Sequence, residues 1–228
     1  MEIKPLPSFT VPDGEIRLRL HSYAEMLLEM NQRVRLVGPR DLETLWSAHI
    51  EDCLKLLPLL PASGSVIDVG TGGGLPGAVL AVCRPDLKFT LIDSVSRKTN
   101  ALCEIMKALE ITNTEVLCTR SEDLASKRRE YFDCATVRAV SEAGVIAEYL
   151  SPLVRPGGIL LAMKGSAVES EIEPLRGKWG RIGLFEPRLY EYDICGHKNY
   201  MLTWKKASPC PRTFPRQAGK AAKKPWWN

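Results

Sequence analysis

The chain has 228 residues, 45% of them hydrophobic and 25% charged, with a formal net charge of +4. That is enough for one sizeable α/β domain with an appendage and too little for two full domains. No apolar run reaches the roughly 18–20 residues of a membrane span, and the N-terminus, with Pro5, Pro7, Pro12, Asp13 and Glu15, lacks an apolar signal-peptide core, so a cytosolic protein is expected. The seven cysteines include no C-x-x-C pair and the three histidines lie far apart, which gives no support to a disulfide framework, a zinc site or a metal-dependent mechanism. Of the 31 Lys and Arg residues, seven follow Trp204 with no acid among them, leaving 24 against 27 acids in the rest of the chain. A cationic tail of this kind suits a polyanion, though a merely solvated tail fits the count equally well.

Taken in chain order, residues 1–14 are proline-rich and expected to be irregular. Ile16, Leu20, Tyr23, Ala24, Leu27 and Leu28 fall near helical spacing over 15–30, and Gly38-Pro39 interrupts the pattern. Asp41 is placed to cap a second helix that runs to Pro58 or Pro61. On it His49 and Asp52 are three apart and hence neighbours, as a surface hydrogen bond or as part of a substrate face. Ser65 to Val69 is β-branched and apolar, the composition of a buried strand. Strands are further expected at 88–92, 115–118, 131–137, 159–163, 184–194 and 200–205, the last two as a hairpin across 196–199. Helices are expected at 78–82, 96–109, 142–153 and 168–178. Alternating strands and helices imply a doubly wound, mostly parallel seven-stranded sheet with an antiparallel C-terminal strand and a helical lead-in. The expected division is a helical extension over 1–60, a cofactor domain over 61–206 and a basic tail over 207–228.

The first of these strands runs into Gly70-Thr71-Gly72-Gly73-Gly74-Leu75-Pro76-Gly77, whose first five residues include four glycines. Glycines at a strand exit tolerate positive φ and let backbone approach a ligand. Two registers compete. Gly72-x-Gly74-x-x-Gly77 with Asp93 further on matches a dinucleotide fingerprint and would make the protein an NAD-binding oxidoreductase. Asp68-x-Gly70-x-Gly72-x-Gly74 instead places the acid at the strand tip, the arrangement of class I methyltransferases that bind S-adenosylmethionine. Asp68 then orients the cationic end of that cofactor or caps the loop. Asp93, at the end of the next strand, either accepts from ribose hydroxyls or caps the following helix.

The loop, together with Arg84-Pro85-Asp86, Leu91-Ile92-Asp93-Ser94, His49-Ile50-Glu51-Asp52-Cys53-Leu54, Arg138-Ala139, Lys164-Gly165 and the segment from Phe214 through Arg216, Gly219, Lys220, Lys223 and Lys224 to Pro225, resembles the bacterial 16S ribosomal RNA guanine-N7 methyltransferases (RsmG/GidB) from about residue 20 to the end. The chain departs from that family at Met30-Asn31 and Arg35-Leu36-Val37, and at Ala221 in the tail. The resemblance implies methyl transfer from S-adenosylmethionine to a guanine N7 of 16S rRNA in the 30S subunit. N7 carries a free lone pair and loses no proton, so no catalytic base is required and alignment is the main demand. The residues it implies for the cofactor are Asp68, Gly70, Gly72, Leu75, Asp93, Ser121, Glu122 and Arg138. Those it implies for RNA are His49, Asp52, Lys164, Arg216, Lys220, Lys223 and Lys224, with phosphate contacts from the basic set and an unstacked target base. A non-catalytic RNA-binding protein using the tail is the third reading. The sequence is silent on oligomeric state and gives no role to Trp226-Trp227.

Overall fold

The computed structural model describes residues 3–228. They form two compact units, one of residues 7–119 and 194–196, the other of residues 3–6, 120–193 and 197–228. This division follows contacts in space, whereas the three-part division expected above runs along the chain.

In the first unit, helix α1 (Gly14–Asn31) buries Leu20, Tyr23, Ala24, Leu27 and Met30, the stripe that its 3.6-residue period lays on one face. Asn31 then shapes the connection that follows. Its Oδ1 accepts from the backbone N–H of Leu36 and Val37 at 2.7 and 3.0 Å, and its Nδ2 donates to Pro39 O. Asp41 caps the next helix by accepting from Thr44 N at 2.8 Å. The helix expected here runs unbroken from Leu42 to Leu54, as α2 (Leu42–Leu45), a π-helical turn over Trp46–Ile50, and α3 (Glu51–Leu54). Three parallel strands follow, β2 (Ser65–Val69), β3 (Lys88–Asp93) and β4 (Thr114–Cys118), with α4 (Gly77–Cys83) and α5 (Ser96–Ala108) as crossovers. Val66, Ile67, Phe89, Leu91 and Ile92 are all but sealed from solvent, as expected of strands with both faces covered.

In the second unit the strands run β1-β7-β8-β6-β5 across the sheet. They are β1 (Ile3–Pro5), β5 (Phe132–Arg138), β6 (Val154–Lys164), β7 (Arg188–Ile194) and β8 (His197–Lys205). β5 and β6 are parallel, β6 and β8 antiparallel, and β1 joins β7 in parallel. Helices α6 (Ser121–Ala125), α7 (Ala143–Leu150), α8 (Val168–Ile172) and α9 (Lys220–Lys223) complete it. The mixed, mostly parallel α/β class is the expected one, with eight described strands rather than seven. The eighth is β1, in a stretch expected to be irregular, where Leu6 N also donates to Glu191 O. Pro156-Gly157-Gly158 does not precede the fifth expected strand but lies inside β6, where the register with β5 shifts; a proline survives in a strand at such an irregularity. The final hairpin turns two residues earlier than expected, on Cys195 and Gly196 with φ of 50° and 76°, the left-handed pair of a two-residue type I′ connection.

Candidate active site

In the first unit the exit of β2 and the tip of β3 are sewn together by the backbone. Gly70 N and Thr71 N both donate to Ile92 O at 2.9 Å, and Gly74 N turns back to Thr71 O at 2.8 Å. Gly70, with φ of 74°, is exposed at the point where the chain leaves the strand. Asp93, at the end of β3, holds the loop from the other side: Oδ2 accepts from Gly72 N at 3.1 Å and Oδ1 from Val95 N at 2.9 Å. A carboxylate offers about four acceptor positions, so two stay open for hydroxyls after both backbone bonds are made.

Asp68 is wholly buried, and its Oδ2 accepts from Gly77 N at 3.0 Å, at the start of α4. Of the two roles open to it, the geometry is that of the loop cap. It also bears on the dinucleotide register. That register needs a helix N-terminus free for pyrophosphate, but here a carboxylate already occupies it. Gly77 is a packing position as well: a Cβ there would overlap Leu91 Cδ2 and approach Asp68 Cβ to 2.7 Å. The same holds for Gly74, whose Cβ would sit 2.7 Å from both Ala78 Cβ and the Tyr23 hydroxyl. Glycines crowded by protein give no cradle to a ligand, so Gly74 and Gly77 serve the interior while Gly70 and Gly72 face outward.

The loop rests on the lead-in. Tyr23 donates its hydroxyl to Gly73 O at 2.6 Å, and Leu27, Leu36 and Val37 fill the space beside Gly73. Leu75, which the family resemblance places at the donor loop, is buried. Thr71 was not anticipated. It is buried, and its Oγ1 is one of three buried side-chain polar atoms without a partner among the described residues. A buried hydroxyl left unmatched in a native site calls for a ligand or ordered water. The only sequence signal was a hydroxyl residue inside the glycine run.

His49 lies on the π-turn, half-buried, and Asp52 follows it in α3 with 7% exposure, so the carboxylate is buried rather than at the surface. The π-turn adds one residue per turn and so rotates everything beyond it about the helix axis; such turns gather at functional sites. Beside it, Trp46 stacks on His21 with ring centroids 3.9 Å apart and 7° between the planes, and the Arg17 guanidinium lies 5.2 Å from the Trp46 ring.

In the second unit Ser121 and Glu122 begin α6. Ser121 Oγ donates to Glu122 Oε2 at 3.0 Å, and Glu122 Oε1 accepts from Gly219 N in the tail at 3.2 Å. Arg138 is the last residue of β5, half-buried, and Ala139 after it has φ of 55°.

Two residues expected at RNA phosphates are engaged inside the protein. Lys164 pairs with Glu171 Oε2 at 2.7 Å and donates to Ser141 O at 2.8 Å; the same Glu171 oxygen accepts from Ala143 N, so the lysine closes the turn into α7. Arg216 forks onto Glu148, with Nε at 2.9 Å from Oε1 and Nη2 at 2.6 Å from Oε2, while its backbone N–H also reaches Oε1 at 3.0 Å. Those hydrogen bonds raise the guanidinium above its ordinary pKa against the opposing effect of burial. Lys206, counted above in the cationic tail, is buried too. It donates to the backbone oxygen and hydroxyl of Ser151 near Glu130, and burial pulls its pKa down. Lys220, Lys223 and Lys224 remain exposed.

The tail as a whole is docked. Arg129 donates to the carbonyls of Cys210, Pro211 and Phe214, Glu130 accepts from Cys210 N, and Trp226 Nε1 donates to Gly144 O at 2.8 Å. Trp227 packs against Gly144 so closely that no Cβ fits there. This gives the terminal tryptophans a role: they seat the chain end on α7. All seven cysteines are free thiols. Burial raises Cys83 to about 12 and pushes Cys134, inside β5, higher still, the opposite of an activated nucleophile.

The family model described as rRNA small subunit methyltransferase G (GidB) matches residues 17–187. The chain is 34% identical over 209 residues to the ribosomal RNA small subunit methyltransferase G of Clostridium perfringens, spanning 89% of this chain and 87% of that one. It is 40% identical over 168 residues to the protein of the same name from Thermobifida fusca, spanning 74% and 70%. Among solved structures, an rRNA methylase from Streptococcus thermophilus shares the fold at a TM-score of 0.52 and 20% identity, over 71% of this chain and 97% of its own. A 16S rRNA adenine-N1 methyltransferase from Catenulisporales acidiphilia does so at 0.51 and 16%, over 71% and 93%. The chain belongs to the rRNA small subunit methyltransferase G (GidB) family.

Proposed function

We propose that this chain uses S-adenosylmethionine to methylate N7 of a guanine in 16S rRNA of the small ribosomal subunit, in the cytoplasm. The observation that carries the donor assignment is the capped loop: Asp68 blocks the helix N-terminus that a pyrophosphate needs, while Asp93 keeps two acceptor positions for a ribose. The donor supplies an electrophilic methyl on a sulfonium. Gly70 and Gly72 let the loop backbone approach it, Asp93 accepts from its hydroxyls, and the unpartnered Thr71 hydroxyl supplies a further polar contact. Leu75 and Asp68 hold the loop from behind. Ser121, Glu122 and Arg138 join the donor contacts on the strength of the family resemblance. With a lone pair already free on N7, these residues need to fix distance and angle rather than move a proton, and such positioning alone lowers barriers by several kcal/mol, about 7–11 kcal/mol in the best cases.

On the RNA side, Lys220, Lys223 and Lys224 are proposed phosphate contacts, and His49 and Asp52 are proposed to border the substrate. The engaged state of Lys164 and Arg216 argues for a positioning role at these two residues. A non-catalytic binding protein is disfavoured by the match to a methyltransferase family rather than by the tail, whose Lys220, Lys223 and Lys224 stay exposed on a docked segment. The test is incubation of the protein with methyl-labelled S-adenosylmethionine and unmodified 30S subunits, followed by mapping of the label. Label at one guanine N7 is expected. Label on another atom, or tight NAD binding with no S-adenosylmethionine binding in calorimetry, would overturn the assignment.

A further inference from the structure

The unit that carries the glycine loop also holds a cluster of positive charge that sequence reading did not single out. Arg33, Arg35, Arg97 and Lys98 line one cleft of about 550 Å³, floored in part by Val95, which is 41% exposed. No carboxylate lines it. Among the described residues, none of the four cationic side chains has a hydrogen-bond or ion-pair partner in the protein. Arg216 and Lys206 differ from them in this respect, since each has its acid nearby.

Both walls are built rather than loose. The 33–38 wall is held by three hydrogen bonds of Asn31, and its Leu36 and Val37 pack on Gly73. The other wall is the start of α5, where Val95 in the capping position has no side chain to satisfy the first N–H groups and the first turn has no acid. Arg97 and Lys98 stand there instead. Cations at a helix N-terminus oppose the helix dipole, and four uncompensated charges around one cleft repel one another. A ligand with several anionic groups relieves both effects at once and also meets the unsatisfied N–H groups. The location limits the ligand further. One wall abuts Gly72 and Gly73, and the other follows directly from Asp93, whose Oδ1 holds Val95 N. The cleft therefore opens beside the edge of the donor loop, where the backbone of a strand presenting its base to that loop would run.

We propose that this cleft binds phosphates of the single-stranded RNA flanking the target nucleotide, with Arg35 and Arg97 on opposite walls as the principal contacts and Val95 as an apolar rest for a sugar or base. The proposal rests on the RNA-methylating reading above and moves part of the RNA interface from the tail to the lead-in.

The test measures binding of a fluorescein-labelled single-stranded RNA carrying the target loop to the full-length protein across a KCl series. Each phosphate contact on single-stranded nucleic acid contributes about 0.7 to the slope of log affinity against log salt. Arg35→Gln/Arg97→Gln should therefore lower that slope by about 1.4 and weaken binding at least tenfold at low salt. Its S-adenosylmethionine affinity should stay within twofold of the parent, and its melting temperature should be equal to the parent's or slightly higher, since two mutually repelling charges are gone. Lys88→Gln/Lys107→Gln, which removes two exposed lysines of the same unit, should leave the slope as it is. An unchanged slope in the first variant, an equal loss in the second, or lost donor affinity with an unchanged RNA slope each overturns the cleft assignment; the last would mean that the cations serve the donor's carboxylate. If the double variant lowers the slope but the parent transfers no methyl to 30S subunits, the cleft stands and the methylation reading falls. If methyl transfer is seen and the slope does not move, the reverse holds.

Discussion

Removing the Arg216 side chain tests whether this residue faces RNA or the protein interior. Glu148 has 1% of its side chain exposed and receives the guanidinium as a fork, with one more bond from the Arg216 backbone. Arg216→Ala leaves a buried carboxylate with the backbone donor alone, and breaking a buried pair by deleting one partner costs about 3–5 kcal/mol. The arginine side chain is itself 18% exposed, so water can enter the vacated space, and the low end, about 3 kcal/mol, is expected. For a chain of this size each kcal/mol moves Tm by about 2–4 °C, which gives a drop of about 6–12 °C in a thermal melt followed by circular dichroism. The double variant Glu148→Leu/Arg216→Met should recover most of that loss, because no charge is left stranded. At 20 °C, where the single variant is still folded, the salt slope of RNA binding should match the parent. A Tm within 1 °C of the parent, combined with a slope reduced by about 0.7, would refute this reasoning and return Arg216 to the RNA.

Three further outcomes can be checked. Asp93→Asn puts an amide N–H against Gly72 N or Val95 N and should weaken S-adenosylmethionine at least tenfold by calorimetry; unaltered affinity would remove Asp93 from the donor site. Tyr23→Phe takes the donor from the buried Gly73 carbonyl and should cost about 1–3 kcal/mol in urea denaturation, together with a loss of donor affinity, whereas a lead-in irrelevant to the loop would change neither. Ellman titration of the native protein should find three quick thiols, Cys103, Cys118 and Cys195, and four more only after unfolding. With Cys83 at about 12, only about one molecule in a thousand carries its thiolate at pH 9, so its reactivity in the folded protein should still be climbing at pH 9, with no plateau near the ordinary thiol pKa.

The elements that sequence reading placed well are those whose signal is local. Apolar, β-branched runs located β2, β3 and β4 to within a residue or so; β2 and β3 are buried parallel strands that need such runs, whereas β4 is a half-exposed edge strand. The acid at Asp68 chose the register of the loop, and the crowding of Gly74 and Gly77 explains why the competing glycine pattern is incidental. What charge counting along the tail could not see has one cause. Arg216 finds its partner 68 residues away, Cys210 N finds Glu130 80 residues away and Gly219 N finds Glu122 97 residues away. Counting charges along the tail saw seven bases and no acid, yet the acids were supplied by α6, α7 and the turn before β5. The π-turn was invisible for a different reason: a single added residue hardly disturbs hydrophobic periodicity over a helix of that length. The basic cleft was missed because its four cations come in two pairs more than 60 residues apart, neither dense enough to stand out.

The bond from Tyr23 to Gly73, with Leu27, Leu36 and Val37 filling the space where a side chain on Gly73 would lie, ties two stretches of sequence that look independent on paper. Neither can vary alone. An alanine at 73 would bring its Cβ to 2.8 Å from Leu27 Cδ1 and 3.1 Å from Leu36 Cβ, so the Leu27 side chain would have to turn aside and the Leu36–Val37 segment to give way slightly. Across relatives the lead-in and the donor loop should thus be inherited as one module, with changes in the helix matched by changes in the loop. A trimmed catalytic core that begins at Ser65 would carry the glycines but not the surface that holds them in shape.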